Sequence, residues 1–130
     1  MRLRSAKAKG KLLEKWVAER LRNTGIDPQA RPEVGSGSGM LKGDIVTELP
    51  ITIECKNSKN FSIRKAVKQA QEASMGYQEH CVIWHPNYVA MENSLVVMPW
   101  SLFEKLIKYL AIYMIYAKKF IQRPGPPNPY

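Results

Sequence analysis

The stretch IVTELPITIECK, residues 45–56, alternates in a way that suits an extended chain and little else. Ile51, Ile53 and Cys55 fall on one face of a strand and Thr52, Glu54 and Lys56 on the other, because side chains two apart point the same way. The first set is expected to face a core and the second to lie opposite it. Ile45, Val46 and Thr47 form a second strand, and Glu48-Leu49-Pro50 supplies a three-residue turn. A hairpin closed at that turn pairs Thr47 with Ile51 and sets Asp44 across from Glu54. Directly opposed residues of an antiparallel pair lie about 5 Å apart. Two carboxylates at that spacing repel unless a cation joins them, so the pattern points to a metal site.

The 130 residues, 45% of them apolar, suffice for one domain with a core of its own. The opening MRLRSAKAKGKLLEKW is basic but lacks the apolar segment of a secretory signal, so a cytoplasmic location is expected. The most apolar run, YLAIYMIYA at 109–117, is about half the ~20 residues of a membrane span. Cys55 and Cys81 have no CxxC spacing and sit in apolar runs, as reduced core cysteines do. The net charge of +9 calls for a polyanionic partner, and nucleic acid is the commonest. Candidate phosphate contacts are Lys7, Lys9, Lys11, Lys42, Lys59 and Arg64, with the hydroxyls of Ser36 and Ser38 in the GSGSG loop. A solvated basic surface, or affinity for anionic lipid, is the other reading of such a charge.

The order of elements along the chain is helix, three strands, helix, two strands, helix. Leu12, Leu13, Trp16, Val17 and Leu21 form a helical stripe between Ala6 and Asn23. Ser62 is placed to cap a helix running from Ile63 to about Met75, with Gly76 as its stop. HCVIWH (80–85) and SLVVMP (94–99) read as strands, and Ser101 as the cap of a last helix over 102–120. RPGPPNPY closes the sequence as a Pro-rich tail over 122–130. The expectation is one α/β domain over 1–121, a mixed central sheet flanked by helices, with an extra C-terminal helix.

Several chemistries have no support. The sequence has no GxSxG elbow, no P-loop and no paired-His zinc motif, and His80 and His85 show no evident partner. GSGSG lacks the longer GxGxxG spacing and precedes a strand rather than a helix. Asp44 and Glu54, by contrast, offer hard oxygen ligands that suit Mg²⁺ or Mn²⁺ once a backbone carbonyl, such as that of Cys55, and waters complete the shell. Such an ion polarises a phosphoryl oxygen. Lys56, on the same face, is placed to orient or deprotonate the attacking water or to stabilise the phosphorane. Singly, these residues also read as a strand-end aspartate and a surface Glu-x-Lys pair.

At these residues the sequence resembles the PD-(D/E)xK nuclease superfamily, and within it the Holliday-junction resolvases of archaea and phages. KGKLLEKWVAERL is similar to their opening, where a glutamate follows a glycine by four residues, as Glu14 follows Gly10. GSGSG stands where those enzymes carry a Ser/Gly loop, followed by Asp44 and ITIECKN. KQAQEA, CVIWH and LVVMPWSLFEKLI extend the likeness over roughly residues 9–110. Where the family has a proline before the aspartate, this chain has Gly43. The resemblance implies a restriction-endonuclease-like fold and Mg²⁺-dependent DNA cleavage leaving a 5′-phosphate and a 3′-hydroxyl. It also implies catalytic roles for Glu14, Asp44, Glu54 and Lys56, with Glu14 at or near the metal. Gln69 or Gln71 could support the site.

The expected activity is thus a structure-selective endodeoxyribonuclease of recombination and repair, acting on four-way DNA junctions in the cytoplasm (the host's, if phage-encoded). A flap or duplex nuclease of the same superfamily and a non-catalytic nucleic-acid-binding module remain as alternatives. A homodimer is expected as well. Within the helix over 102–120, YLAIYMIYA is apolar nearly all round, and a second copy is the natural cover, with Ile112, Tyr113, Ile115 and Tyr116 as candidate contacts.

Overall fold

The computed structural model describes residues 5–34, 43–76 and 78–121, the side chains of 120 and 121 excepted. Ser36, Ser38, Lys42 and the Pro-rich tail lie outside the described residues. The chain divides into two compact units, 1–99 and 100–130. Among the described residues, the first carries two α-helices, a short 3-10 turn (Met91–Asn93) and five strands, and the second a single helix.

Helix α1 (Ala6–Asn23) starts at Ser5, whose hydroxyl accepts the Ala8 N–H at 3.2 Å. Its apolar stripe buries Leu13, Val17 and Ala18. Strand β1 (Arg31–Pro32) pairs antiparallel with β2 (Ile45–Val46), a small sheet of its own. Strand β3 (Ile51–Asn57) pairs in parallel with β4 (Glu79–His85), and β4 pairs antiparallel with β5 (Leu95–Val97). Helix α2 (Ile63–Ser74) makes the crossover that a parallel pair requires. It begins at the Ser62 cap and ends on Met75 and Gly76, both at positive φ. The result is a mixed α/β fold in which helices flank the sheet.

The expected hairpin between β2 and β3 does not form. The Ile51 N–H turns back to Leu49 O (2.7 Å), so it cannot join Thr47. Thr47 is engaged elsewhere: its hydroxyl donates to fully buried Asp27 and accepts the Leu49 N–H at 3.1 Å. The chain bends over 48–50 without closing a ladder, and β3 takes β4 as its hydrogen-bonded neighbour instead.

That choice buries both faces of β3. Glu54 is in register with Val82, which packs on Ala66 and Ala70 of α2. Thr52, Glu54 and Lys56 therefore share the α2 side. Ile53, Cys55 and Ile83 share the other side, where Ile83 lines a cleft with Trp16 and Val17 of α1. Thr52 and Glu54, expected opposite the core, are 2% and 3% exposed. A strand in a helix-covered parallel pair has no solvent face. Cys55 and Cys81 are buried free thiols, as anticipated.

Helix α3 (Trp100–Ile121) starts two residues before its expected beginning, so Ser101 lies inside it and is no cap. Among the described residues, no helix is long and apolar enough to cross a membrane.

Candidate metal centre

Asp44 joins the two sheets through its backbone. Its N–H donates to Ile53 O at 2.8 Å, and its carbonyl accepts the Glu33 N–H at 2.9 Å. The approach to β3 is close enough to require glycine at the preceding position. A Cβ on Gly43 would stand 2.5 Å from Ile53 O and 2.9 Å from Ile53 N. The Asp44 side chain then does what a neighbouring strand would have done. Its Oδ2 accepts the Cys55 N–H at 2.7 Å, capping the edge of β3 beside Glu54. One aspartate thus fixes its own carboxylate through three hydrogen bonds, the strongest of them charge-assisted.

Glu54 is brought to Asp44 by this arrangement, although not by the opposed hairpin register expected from the sequence. The two carboxyls share a hydrogen bond, while Glu54 Oε2 is buried without a partner. Burial first, then the Asp44 charge and that hydrogen bond, push the Glu54 carboxyl up to about 8; Lys56 pulls the other way. Glu14, half-buried on α1, is also raised, by burial and then by Asp44, with Lys11 opposing. The three carboxyls are therefore electrostatic neighbours, contributed by α1, the segment before β2, and β3. Among the described residues, no group of three or more His, Cys, Asp or Glu side chains is placed to hold a metal ion. Asp44 and Glu54 form the inner pair, and Glu14 stands one step back.

Lys56 follows Glu54 on the same side of β3. Its ammonium donates to Gln69 Oε1 of α2 at 3.1 Å, which selects Gln69 over Gln71 as the supporting amide. The sequence offered both glutamines; only the packing of α2 on β3 separates them. Cys55, between the two site residues, has a thiol raised by burial and then by the Asp44, Glu14 and Glu54 charges. Burial raises the Cys81 thiol to about 11. Neither is a thiolate nucleophile at neutral pH.

Of the candidate phosphate contacts, Lys7, Lys11, Lys59 and Arg64 are exposed and Lys9 is half-buried. Lys7, Lys11 and Glu14 lie at helical spacing on one face of α1, so a basic strip leads toward the carboxyls. His85, without an evident partner in the sequence, has two neighbours: Nδ1 meets Asn57 Oδ1 at 2.7 Å and Nε2 meets Val89 O at 2.8 Å. Asn57 and His85 are paired by the parallel register, and no sequence spacing announces it. Comparison with family models, curated proteins and solved structures finds no match to this chain.

The raised Glu54 carboxyl has a consequence for stability without metal. Unfolded, Glu54 releases its proton near its ordinary 4.5; folded, it keeps the proton to about 8. Between those values the folded chain binds the extra proton, so stability falls as pH rises through the window and levels off above it. Urea unfolding in EDTA between pH 5 and 9 is expected to show this decline. Glu54→Gln, which needs no proton, is expected to flatten it, and added Mg²⁺ to restore stability at the alkaline end. An unchanged slope in Glu54→Gln would assign the effect to another group.

Proposed function

We propose that this protein is a divalent-metal-dependent DNA endonuclease, acting on branched DNA of the four-way type as a homodimer joined through α3. The observation that carries the catalytic reading is Glu54 Oε2, a buried carboxylate oxygen without a partner, hydrogen-bonded through its carboxyl to Asp44. A buried charge of this kind is costly unless a cation or proton answers it. Asp44, Glu54 and the Cys55 carbonyl are hard oxygen donors of the kind Mg²⁺ and Mn²⁺ take, and they would hold the ion. When bound, it supplies Lewis-acid polarisation of a phosphoryl oxygen and offsets the charge that develops there.

The chain's own groups supply the rest. Lys56, braced by Gln69, keeps two ammonium protons for a phosphate oxygen or for the water that attacks it. Glu14, with its carboxyl raised, is suited to orient water beside the inner pair. The strip of Lys7 and Lys11 would lead the DNA backbone toward this point, and each phosphate it neutralises adds to the salt dependence of binding.

The test compares a synthetic four-way junction, a flapped duplex and a linear duplex, each end-labelled, with Mg²⁺, with Mn²⁺ and with EDTA. Metal-dependent paired nicks confined to the junction support the reading. Preference for the flap or the linear duplex would retain the nuclease and replace the substrate. Binding without cleavage of any of the three, in either metal, would overturn it in favour of a non-catalytic module.

A further inference from the structure

Beyond the carboxyl cluster, a cleft of about 280 Å³ opens between the start of α1 and the loop that follows β4. Leu12 and Met91 form its apolar part, Asn57 and His85 its polar wall, and Lys9 and Tyr88 its rim. It lies at the carboxyl ends of the parallel strands β3 and β4, the ordinary place for a ligand in such a sheet. Asn57 immediately follows Lys56, so the cleft begins one residue beyond the proposed catalytic lysine.

Two features mark the cleft as built. Tyr88 is 99% exposed, and its backbone is left-handed at φ 66°. That conformation is strained for a large side chain, and it persists only where the surroundings enforce it. Here they do: His85 Nε2 is bonded to Val89 O, one residue past Tyr88, and His85 Nδ1 to Asn57, whose Nδ2 donates to Lys9 O at 2.7 Å. The chain of contacts ties the loop to β3 and α1 and fixes the backbone that carries Tyr88 at the edge of the cleft. The same contacts fix the orientation of the Asn57 amide and the His85 ring. The Asn87 amide completes the polar lining, and an aromatic face and an ammonium group are offered for stacking and for phosphate.

We infer that Tyr88 and the cleft beside it capture one unstacked base of a DNA strand, while Lys9 meets an adjoining phosphate. Stacking on an aromatic ring beside a basic group is the sequence-tolerant way to hold a single strand. The inference rests on the reading of this protein as DNA-cleaving and narrows its substrate to DNA with an unpaired or unstacked nucleotide near the cut.

The experiment uses the full chain carrying Glu54→Gln, in EDTA, with a short single-stranded oligonucleotide containing one 2-aminopurine. Stacking is expected to quench the fluorophore on binding. Tyr88→Phe should preserve the quench, and Tyr88→Ala should remove it and weaken binding about 5- to 150-fold, with the thermal midpoint of each variant confirming its fold. Lys9→Ala should keep the quench and lower the salt slope by about 1. A Tyr88→Ala variant that binds and quenches like its parent would overturn the inference. So would a fully paired duplex that competes as well as the single strand. Tyr88-dependent quenching in a protein whose Glu54 form never cleaves DNA would sustain the capture site and refute the nuclease. Cleavage indifferent to Tyr88 would do the reverse.

Discussion

Asp44→Asn and Glu54→Gln are each expected to abolish metal-dependent cleavage, by about 10³-fold or more, while junction binding holds or tightens. Each change removes a charge from the pair that would hold the cation, and binding rests on phosphate contacts elsewhere. Glu54→Gln should carry a second signature. It relieves a buried carboxyl that has no partner for Oε2, so the metal-free variant should be more stable than its parent above pH 8. Loss of activity with gain of stability is the mark of a site kept at a cost to the fold. Asp44→Asn should behave differently, because Oδ2 caps the Cys55 N–H and loses its charge assistance. Some stability should go with the activity. Lys56→Ala is expected to slow cleavage about 10²- to 10³-fold with the fold preserved, and Glu14→Gln to impair it far more than the same change at Glu19, an exposed glutamate further along α1. Single-turnover cleavage and urea unfolding on the same preparations check all of these. Near-parental cleavage by either carboxylate variant would remove the metal assignment.

The pairing of Asp44 with Glu54 was legible in the sequence, though the route to it was not. Alternation at 51–56 shows a strand whatever its neighbours, because it reflects the pleat of one chain. Which strand lies beside it depends on where single N–H groups find acceptors. The Ile51 N–H goes to Leu49 and the Cys55 N–H to an Asp44 oxygen, and neither choice has a periodicity. The burial of Glu54 was hidden for a related reason. Polar residues at alternate positions imply a wet face only if nothing covers it, and the parallel partner β4 brings α2 over that face. Ser62 was readable as a cap because its neighbours give no competing start. Ser101 misled because Trp100 already belongs to the helix. Gln69 and His85 became visible only when α2 and β4 were set against β3.

The second large effect is expected at α3. From Tyr109 to Tyr116, Leu110, Ile112, Met114, Ile115 and the three tyrosines are all more than half exposed. An exposed apolar surface of this extent marks an interaction site. The charges on α3 favour a second copy, laid antiparallel. Glu104, Ile107, Ala111, Ile115 and Lys118 fall on one stripe at steps of three, four, four and three, and the small Ala111 stands at its centre. A two-fold axis at Ala111 sets Glu104 against Lys118 of the second copy at both ends, with Ile107 against Ile115 between them. A parallel pair would instead stack Lys118 on Lys118. Ile112 flanks this stripe, whereas Tyr113 and Tyr116 lie on the far side of the helix. Paired Ile107→Glu and Ile115→Glu changes are expected to yield a monomer at micromolar concentration. That monomer should nick a junction once instead of twice in the same binding event. Glu104→Lys should weaken the dimer, and adding Lys118→Glu should restore it, since reversed charges still oppose. Sedimentation and paired-cleavage assays read both effects. A parent that sediments as a monomer would defeat the arrangement, and so would a double reversal that fails to recover the dimer after Glu104→Lys has broken it.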